Sequence, residues 1–288
     1  MASGLLELPE SRPMLDAASN EGADLRTALA GDDDALRPTE IAQPALLFTE
    51  CALLRLLPGG LDVAGCAGHS VGEYAAAVAA GALSPEQAMR IVVRRGRAMA
   101  GMRQGGMTAV IGLGAEKLAD ICRKVSDETG ETVVIANLNA PGQVVISGTV
   151  AGVEEAARRA REAGAKRALP LNVSGAFHSP LMVDAAASVG EALDEVQFSP
   201  LALPVVCNVD AEAVTETEEL RLRLRLQLTS PVRWVDCVRT LRRLGADTIV
   251  EVGPGSVLTG LVRRIDPEMQ TLNVRTPDEA ATLAAAVA

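Results

Sequence analysis

The stretch Gly68-His69-Ser70-Val71-Gly72, running into the alanine-rich segment Glu73–Gly81, narrows the possible folds more than any other feature of the chain. It supports two readings of one serine. As G-x-S-x-G it is a nucleophile elbow, a strained strand-to-helix turn that leaves the serine hydroxyl exposed. As S-x-x-E it is a capping box, in which Ser70 and Glu73 satisfy backbone donors at a helix start. Residues 61–67 read as a short strand leading into the turn. Tyr74–Ala80 reads as a helix closed by Gly81.

The core around such a turn must be built from small residues. Hydrophobic residues make up 48% of the 288 positions and aromatics only 2%, so Ala, Val, Leu and Gly fill the interior. That suits helices packed closely on a buried parallel sheet. A net charge of −10 argues against a nucleic-acid partner held by bulk electrostatics. The five cysteines, Cys51, Cys66, Cys122, Cys207 and Cys237, show no metal-ligand spacing and read as buried thiols in a reducing compartment. The N-terminus lacks the basic-then-apolar pattern of a secretory leader, and no apolar run approaches a membrane span. These features predict a cytoplasmic protein with no membrane partner, no metal and no bound cofactor.

Periodicity organises the rest. Residues 41–57 read as a buried helix after Pro44. Ser84 caps a helix with Pro85 in its first turn, running to about Gly101. From Met107 the rhythm changes to strand, helix, strand, strand, helix, strand, ending with a strand over 166–172. This βαββαβ order is that of a ferredoxin-like subdomain. It predicts an inserted unit over 105–173 and a large α/β domain formed by 1–104 and 174–288. A helix from Ser179 and strands at "LPVVCNV" and "DTIVEVG" follow. Residues 220–228, "LRLRLRLQL", alternate with period 2, the pattern of a strand, although "TETEEL" before them resembles a helix start.

A serine nucleophile needs a base, and the chain has two histidines, His69 and His178. In a tight turn the side chain of His69 tends to diverge from Ser70, which leaves His178, in "VSGAFHSPLM", as the candidate base. The bland alternative is a structural or surface histidine. On the helix after Pro85, the stripe Ala88, Ile91, Val92, Arg95 and Met99 is apolar but for one guanidinium. An inward-facing arginine must find an anion, either an internal carboxylate or the carboxylate of a ligand. The glycine-rich turn in "EVGPGSVLTGL" reads as a chain reversal. The run Arg158, Arg159, Arg161, Lys166 and Arg167 reads as a solvated helix face or a docking site for an acidic partner.

With these residues laid out, the chain resembles the malonyl-CoA:acyl carrier protein transacylases and the acyltransferase domains of fatty acid and polyketide synthases. The resemblance rests on "AGHSVGEYAA", "VRRGRAM", "NLNAPGQVVISG", "AKRALPLNVSGAFHSPLM", "LTSPVRW" and "EVGPGSVLTGL", in the family's order. It implies an α/β-hydrolase-like parallel-sheet core with the ferredoxin-like insertion, and a helix over 216–228 despite the alternation. It implies that Ser70 is acylated by malonyl-CoA and that His178 serves as base and then acid. The phosphopantetheine thiol of acyl carrier protein then takes the malonyl group, in a ping-pong cycle. It implies that the backbone carbonyl of Gln227 orients His178, that Arg95 clamps the malonyl carboxylate, and that the Val71 N–H serves the oxyanion. Phe177 beside the histidine, with Val71 after the serine, matches the malonyl-type pattern, since a bulky ring crowds an α-methyl group. His69 and Asn139 are placed at the substrate, and a monomer is expected. A serine thioesterase or hydrolase, and an impaired carrier-binding paralogue, are the competing functions.

The family opens with a buried strand and a Gly/Gln-rich turn that this sequence lacks; its Met1 aligns with a later family methionine. One oxyanion donor would go with that turn, and an upstream start is the favoured explanation. Losing one such donor typically costs about 100- to 1,000-fold in turnover. The 288-residue chain is therefore expected to turn over much more slowly than one extended upstream. Steady-state assay of both checks this, and full activity of the shorter, monomeric chain contradicts it.

Overall fold

The computed structural model describes residues 4–173 and 175–287. Residues 1–3 and position 174, where the sequence-based boundary of the insertion falls, lie outside the described residues. Helices α1 (Arg12–Asn20), α2 (Leu25–Ala30) and α3 (Thr39–Leu54) lead into the short strand β1 (Cys66–Ala67). The elbow, α4 (Gly72–Ala79) and α5 (Pro85–Gly101) follow. Helix α3 starts at Thr39, so Pro44 lies inside it rather than before it. A proline there leaves the Glu40 carbonyl without its helical donor. The helix is held from outside, because α5 approaches it closely at Gly96, where a Cβ would stand 3.0 Å from the Glu40 Cα. Helix α5 begins with a full capping box, Ser84 and Gln87 each satisfying the other's backbone.

The middle of the chain forms β2 (Gly106–Ile111), α6 (Ala115–Thr129), β3 (Val133–Ala140), β4 (Gln143–Gly148), α7 (Val150–Glu162) and β5 (Arg167–Pro170). The four strands make one antiparallel sheet in the order β3-β4-β2-β5. With α6 and α7 it encloses its own core of Val110, Leu118, Val125, Ile146, Val153 and Ala160. This is the ferredoxin-like arrangement. The last strand stops at Pro170, short of the predicted 172.

The chain returns through α8 (Val183–Asp194), β6 (Val205–Val206), β7 (Ala213–Val214), α9 (Thr217–Leu226), α10 (Trp234–Arg243), β8 (Thr248–Val252), α11 (Val257–Ile265), β9 (Gln270–Val274) and α12 (Pro277–Val287). Among the described residues the parallel ladders are β1 with β6 and β8 with β9, in two separate sheets, and an isolated parallel bridge joins Asn137 to Val232. No ladder joins β1 to β8 among the described residues. Every residue of β8 is only half-buried.

The Leu/Arg alternation over 220–226 is helical, as the resemblance implied and against its period-2 pattern. In α9 the alternate leucines divide between two faces. Leu220 and Leu224 are buried, whereas Leu222 and Leu226 are 54% and 43% exposed. The arginines find outside partners: Arg221 lies 4.4 Å over the Phe198 ring and Arg223 pairs with Asp210 at 2.8 Å. Among the described residues no helix is long and apolar enough to cross a membrane.

The helical reading predicts unequal mutational costs along one alternating run. Leu224→Ala should destabilise by about 2–5 kcal/mol, and Leu222→Ala by less than about 0.5 kcal/mol. Urea unfolding of both variants checks it; equal losses would fit a strand with one buried face.

Candidate active site

The elbow is built by one glycine. A Cβ on Gly68 would stand 2.0 Å from the Gly72 carbonyl and 2.5 Å from the Glu73 nitrogen. Gly68 thus lets the start of α4 fold back against the end of β1. Gly72 has open space where its Cβ would be, so the second glycine of the motif is not sterically required. Between them Ser70 takes φ +54°, a left-handed conformation that non-glycine residues seldom adopt.

The capping-box reading of Ser70 and Glu73 is not realised. The first donors of α4 are taken by the turn's own carbonyls: Gly72 to His69, Glu73 to Ser70 and Tyr74 to Val71, each at 3.1 Å. Neither side chain is needed as a cap. Ser70 Oγ instead lies 2.8 Å from His178 Nε2 and 2.9 Å from Arg95 Nη2. Glu73 is fully buried and accepts from the Gln227 side-chain amide and, at 3.4 Å, from the Asn208 N–H.

These contacts fix the protons. A guanidinium only donates, so Ser70 Oγ accepts from Arg95 and turns its own hydrogen toward His178 Nε2. The other ring nitrogen, Nδ1, faces the carbonyls of Gln227 at 3.1 Å and Ser230 at 3.2 Å, and must carry the hydrogen. His178 is 4% exposed and, like Ser70, has positive φ, at +58°. Burial, followed by the Arg95 charge, pushes its pKa down from the ordinary 6.5 to about 3. It is a neutral imidazole across the physiological range.

Arg95 is the largest fully buried side chain. Its Nη1 donates to Gln43 Oε1 and its Nη2 to Gln227 Oε1 at 3.1 Å as well as to Ser70. The Tyr74 ring lies 5.8 Å from the guanidinium carbon. The internal carboxylate partner is not found: among the described residues Arg95 makes no salt bridge, and its buried Nε has no acceptor. A cation thus sits on neutral oxygens beside the serine.

The other candidates gather around this centre. His69 diverges from Ser70, and its Nε2 lies 2.8 Å from Asn139 Oδ1 on β3. The His69 ring packs 5.6 Å from that of Trp234. Phe177 is buried against the large core beside His178. The Val71 N–H has no hydrogen-bond acceptor among the described residues, so it is free for a ligand oxygen. Of the basic run, Arg158 and Arg159 on α7 are paired with carboxylates, whereas Lys166 and Arg167 lie beyond that helix. Arg158 pairs with Glu155 and Glu162, and Arg159 with Glu128 and Glu155. No group of three or more His, Cys, Asp or Glu among the described residues could hold a metal.

Sequence reasoning missed Gln43, Ser230 and Asn208. Asn208 Oδ1 accepts the Ser70 N–H at 2.8 Å across 138 positions of chain. No local pattern marks such a residue; by sequence it falls inside the predicted strand "LPVVCNV", whereas β6 ends at Val206.

The acyl transferase domain family matches residues 14–276. The chain belongs to the acyl transferase domain family. A malonyl CoA-acyl carrier protein transacylase of Bacillus subtilis (strain 168) is 43% identical over 283 residues, covering 94% of this chain and 87% of that one. The fold is shared with an acyl carrier protein S-malonyltransferase of Vibrio cholerae, at a TM-score of 0.91 and 38% identity over 98% of this chain and 94% of that one. It is also shared with a malonyl-transacylase in complex with its type II PKS acyl-carrier protein, at a TM-score of 0.91 and 37% identity over 99% of this chain and 94% of that one.

For this acyl transferase the depressed His178 pKa sets a pH signature. The free base persists above its pKa, so the acid limb of kcat/KM should lie below about pH 5. Arg95→Ala removes one of the causes of the depression and should move that limb upward. A wild-type limb near pH 6.5, the unperturbed histidine value, would contradict this.

Proposed function

We propose that the chain transfers a malonyl group from malonyl-CoA to the phosphopantetheine thiol of acyl carrier protein through malonyl-Ser70. The observation that carries this is Ser70 Oγ held between His178 Nε2 and the Nη2 of a buried arginine that lacks a carboxylate partner. In the first half-reaction Oγ attacks the thioester carbonyl carbon while its proton passes to His178 Nε2. The oxyanion that forms takes the Val71 N–H. The C–S bond then breaks, and His178 returns the proton to the departing CoA sulfur. In the second half-reaction the carrier's thiol gives its proton to His178 and attacks malonyl-Ser70, and Ser70 leaves with that proton. The Gln227 and Ser230 carbonyls hold the imidazole in one tautomer throughout, so no triad acid is needed.

Arg95 sets the acyl class. Nε and Nη2 share one edge of the guanidinium, and that edge holds both the contact to Ser70 and the vacant donor. Once Ser70 is acylated and its Oγ releases Nη2, a malonyl carboxylate can take this edge bidentately, as arginine prefers. Binding also neutralises the charge that depresses His178, so the base strengthens when the correct substrate is present. His69 and Asn139 line the substrate side, and Phe177 disfavours α-branched acyl groups. One methyl group is worth only about 1–3 kcal/mol of discrimination, so that selectivity leaks. The inserted unit over 105–173 and the large domain over 1–104 and 174–288 meet near this site, where the Val232 N–H donates to the Ala136 carbonyl and the Leu138 N–H to the Val232 carbonyl, tying β3 to the large lobe. The free cysteines, all but Cys66 buried, suit the cytoplasm.

Incubation with malonyl-CoA and holo-acyl carrier protein should give malonyl-carrier protein with little free malonate. Free malonate as the main product would instead fit a hydrolase sharing the same elbow. Arg95→Ala should lose malonyl preference by about 100-fold, the scale of one desolvated charge-assisted contact, and gain tolerance for uncharged acyl groups. An unchanged acyl profile in competition assays would remove the clamp role.

A further inference from the structure

We propose that Asn208 is a positioning residue of the nucleophile, a side chain that, together with Gln227 on the Ser70 carbonyl, holds Ser70 in its left-handed conformation. The proposal rests on Ser70 being the acylated residue. Asn208 follows β6 and is fully buried. Its Oδ1 accepts the Ser70 N–H at 2.8 Å, and its Nδ2 donates to the Gly68 carbonyl at 2.7 Å. One amide thereby clasps the elbow on both sides of His69. Its own backbone is fixed as well: the N–H donates to Glu73 Oε1 at 3.4 Å and the carbonyl accepts the Arg233 N–H at 3.0 Å.

The chemistry of the clasp is selective. It needs an acceptor facing Ser70 and a donor facing Gly68, a branched-carbon length away from the Asn208 backbone. An amide supplies both at any pH. A carboxylate of the same shape keeps the acceptor but turns a second lone-pair oxygen toward the Gly68 carbonyl. A methyl supplies neither and leaves a buried N–H and a buried C=O unpaired. Left-handed backbone in a non-glycine residue costs about 1–2 kcal/mol, comparable to one hydrogen bond, so losing the clasp lets Ser70 relax. Its Oγ then leaves the point where His178 Nε2 and Arg95 Nη2 converge. The Ser70 N–H is also kept from competing with the neighbouring Val71 N–H for a developing oxyanion.

The test is single-turnover acylation by malonyl-CoA, followed by quenched-flow and intact mass, on wild type, Asn208→Asp and Asn208→Ala. Positioning lowers the rate constant of adduct formation in the competent molecules. A purely structural role lowers only the amplitude, the fraction able to react. The expected order of rate constants is wild type, then Asn208→Asp, then Asn208→Ala, with the last about 100-fold down, the scale of a misplaced reacting group. KM for malonyl-CoA should stay within about twofold. The isosteric Asp variant keeps the test decisive if the Ala variant does not fold. A wild-type rate constant in Asn208→Asp, with or without reduced amplitude, overturns the proposal. A wild type that forms no adduct overturns the transferase reading instead.

Discussion

Ser70 at φ +54° is the constraint on which the site depends. The backbone reaches that conformation because Gly68 allows α4 to start against the end of β1, and because the first donors of α4 are taken by the turn's own carbonyls. Strain of this kind persists only where surrounding structure over-determines it. Here the over-determination comes from three sides: Asn208 on the elbow amides, Gln227 Nε2 on the Ser70 carbonyl at 3.0 Å, and the His178–Arg95 pair on the hydroxyl. Each anchor comes from a different part of the chain. The nucleophile is thus a product of the tertiary structure even though its motif is local.

A fully buried cation, Arg95, sets the electrostatics of the centre. Burial, and then the charge of a buried guanidinium held on neutral oxygens, depress the neighbouring histidine. Burial also raises the Glu73 carboxyl to about 7; it hydrogen-bonds Gln227 and the Asn208 N–H, and its charge couples to that of Arg95. On the proposed role of Arg95 as the clamp, an incoming carboxylate would relieve the cation and strengthen the base together, so that selectivity and reactivity would share one interaction.

Much of the fold was legible because its signals are local. The βαββαβ rhythm over 106–170 follows from apolar periodicity and turn residues, and Ser84 reads as the cap of α5, where the structure adds Gln87 to complete a capping box. The inward arginine was visible as the one charge on the apolar stripe of α5. What misled were patterns with two physical solutions. The run "LRLRLRLQL" alternates, yet a helix splits its leucines between core and solvent, and the arginines find Phe198 and Asp210. Pro44 read as a boundary, but packing of α5 at Gly96 carries the helix past it. Ser70 and Glu73 spell a cap, yet turn carbonyls took the donors first. The roles of Gln227 and Val71 came from family resemblance rather than from spacing, and Asn208 from neither, because backbone acceptors and long-range amides leave no trace in a linear pattern.

The account stands or falls on whether Ser70 carries the acyl group. The direct measurement is peptide mapping by mass spectrometry after brief exposure to malonyl-CoA without carrier protein. The predicted result is a malonyl adduct on the peptide containing Ser70, absent from Ser70→Ala and discharged by holo-acyl carrier protein. An adduct on another residue, or one that forms equally in Ser70→Ala, would contradict it.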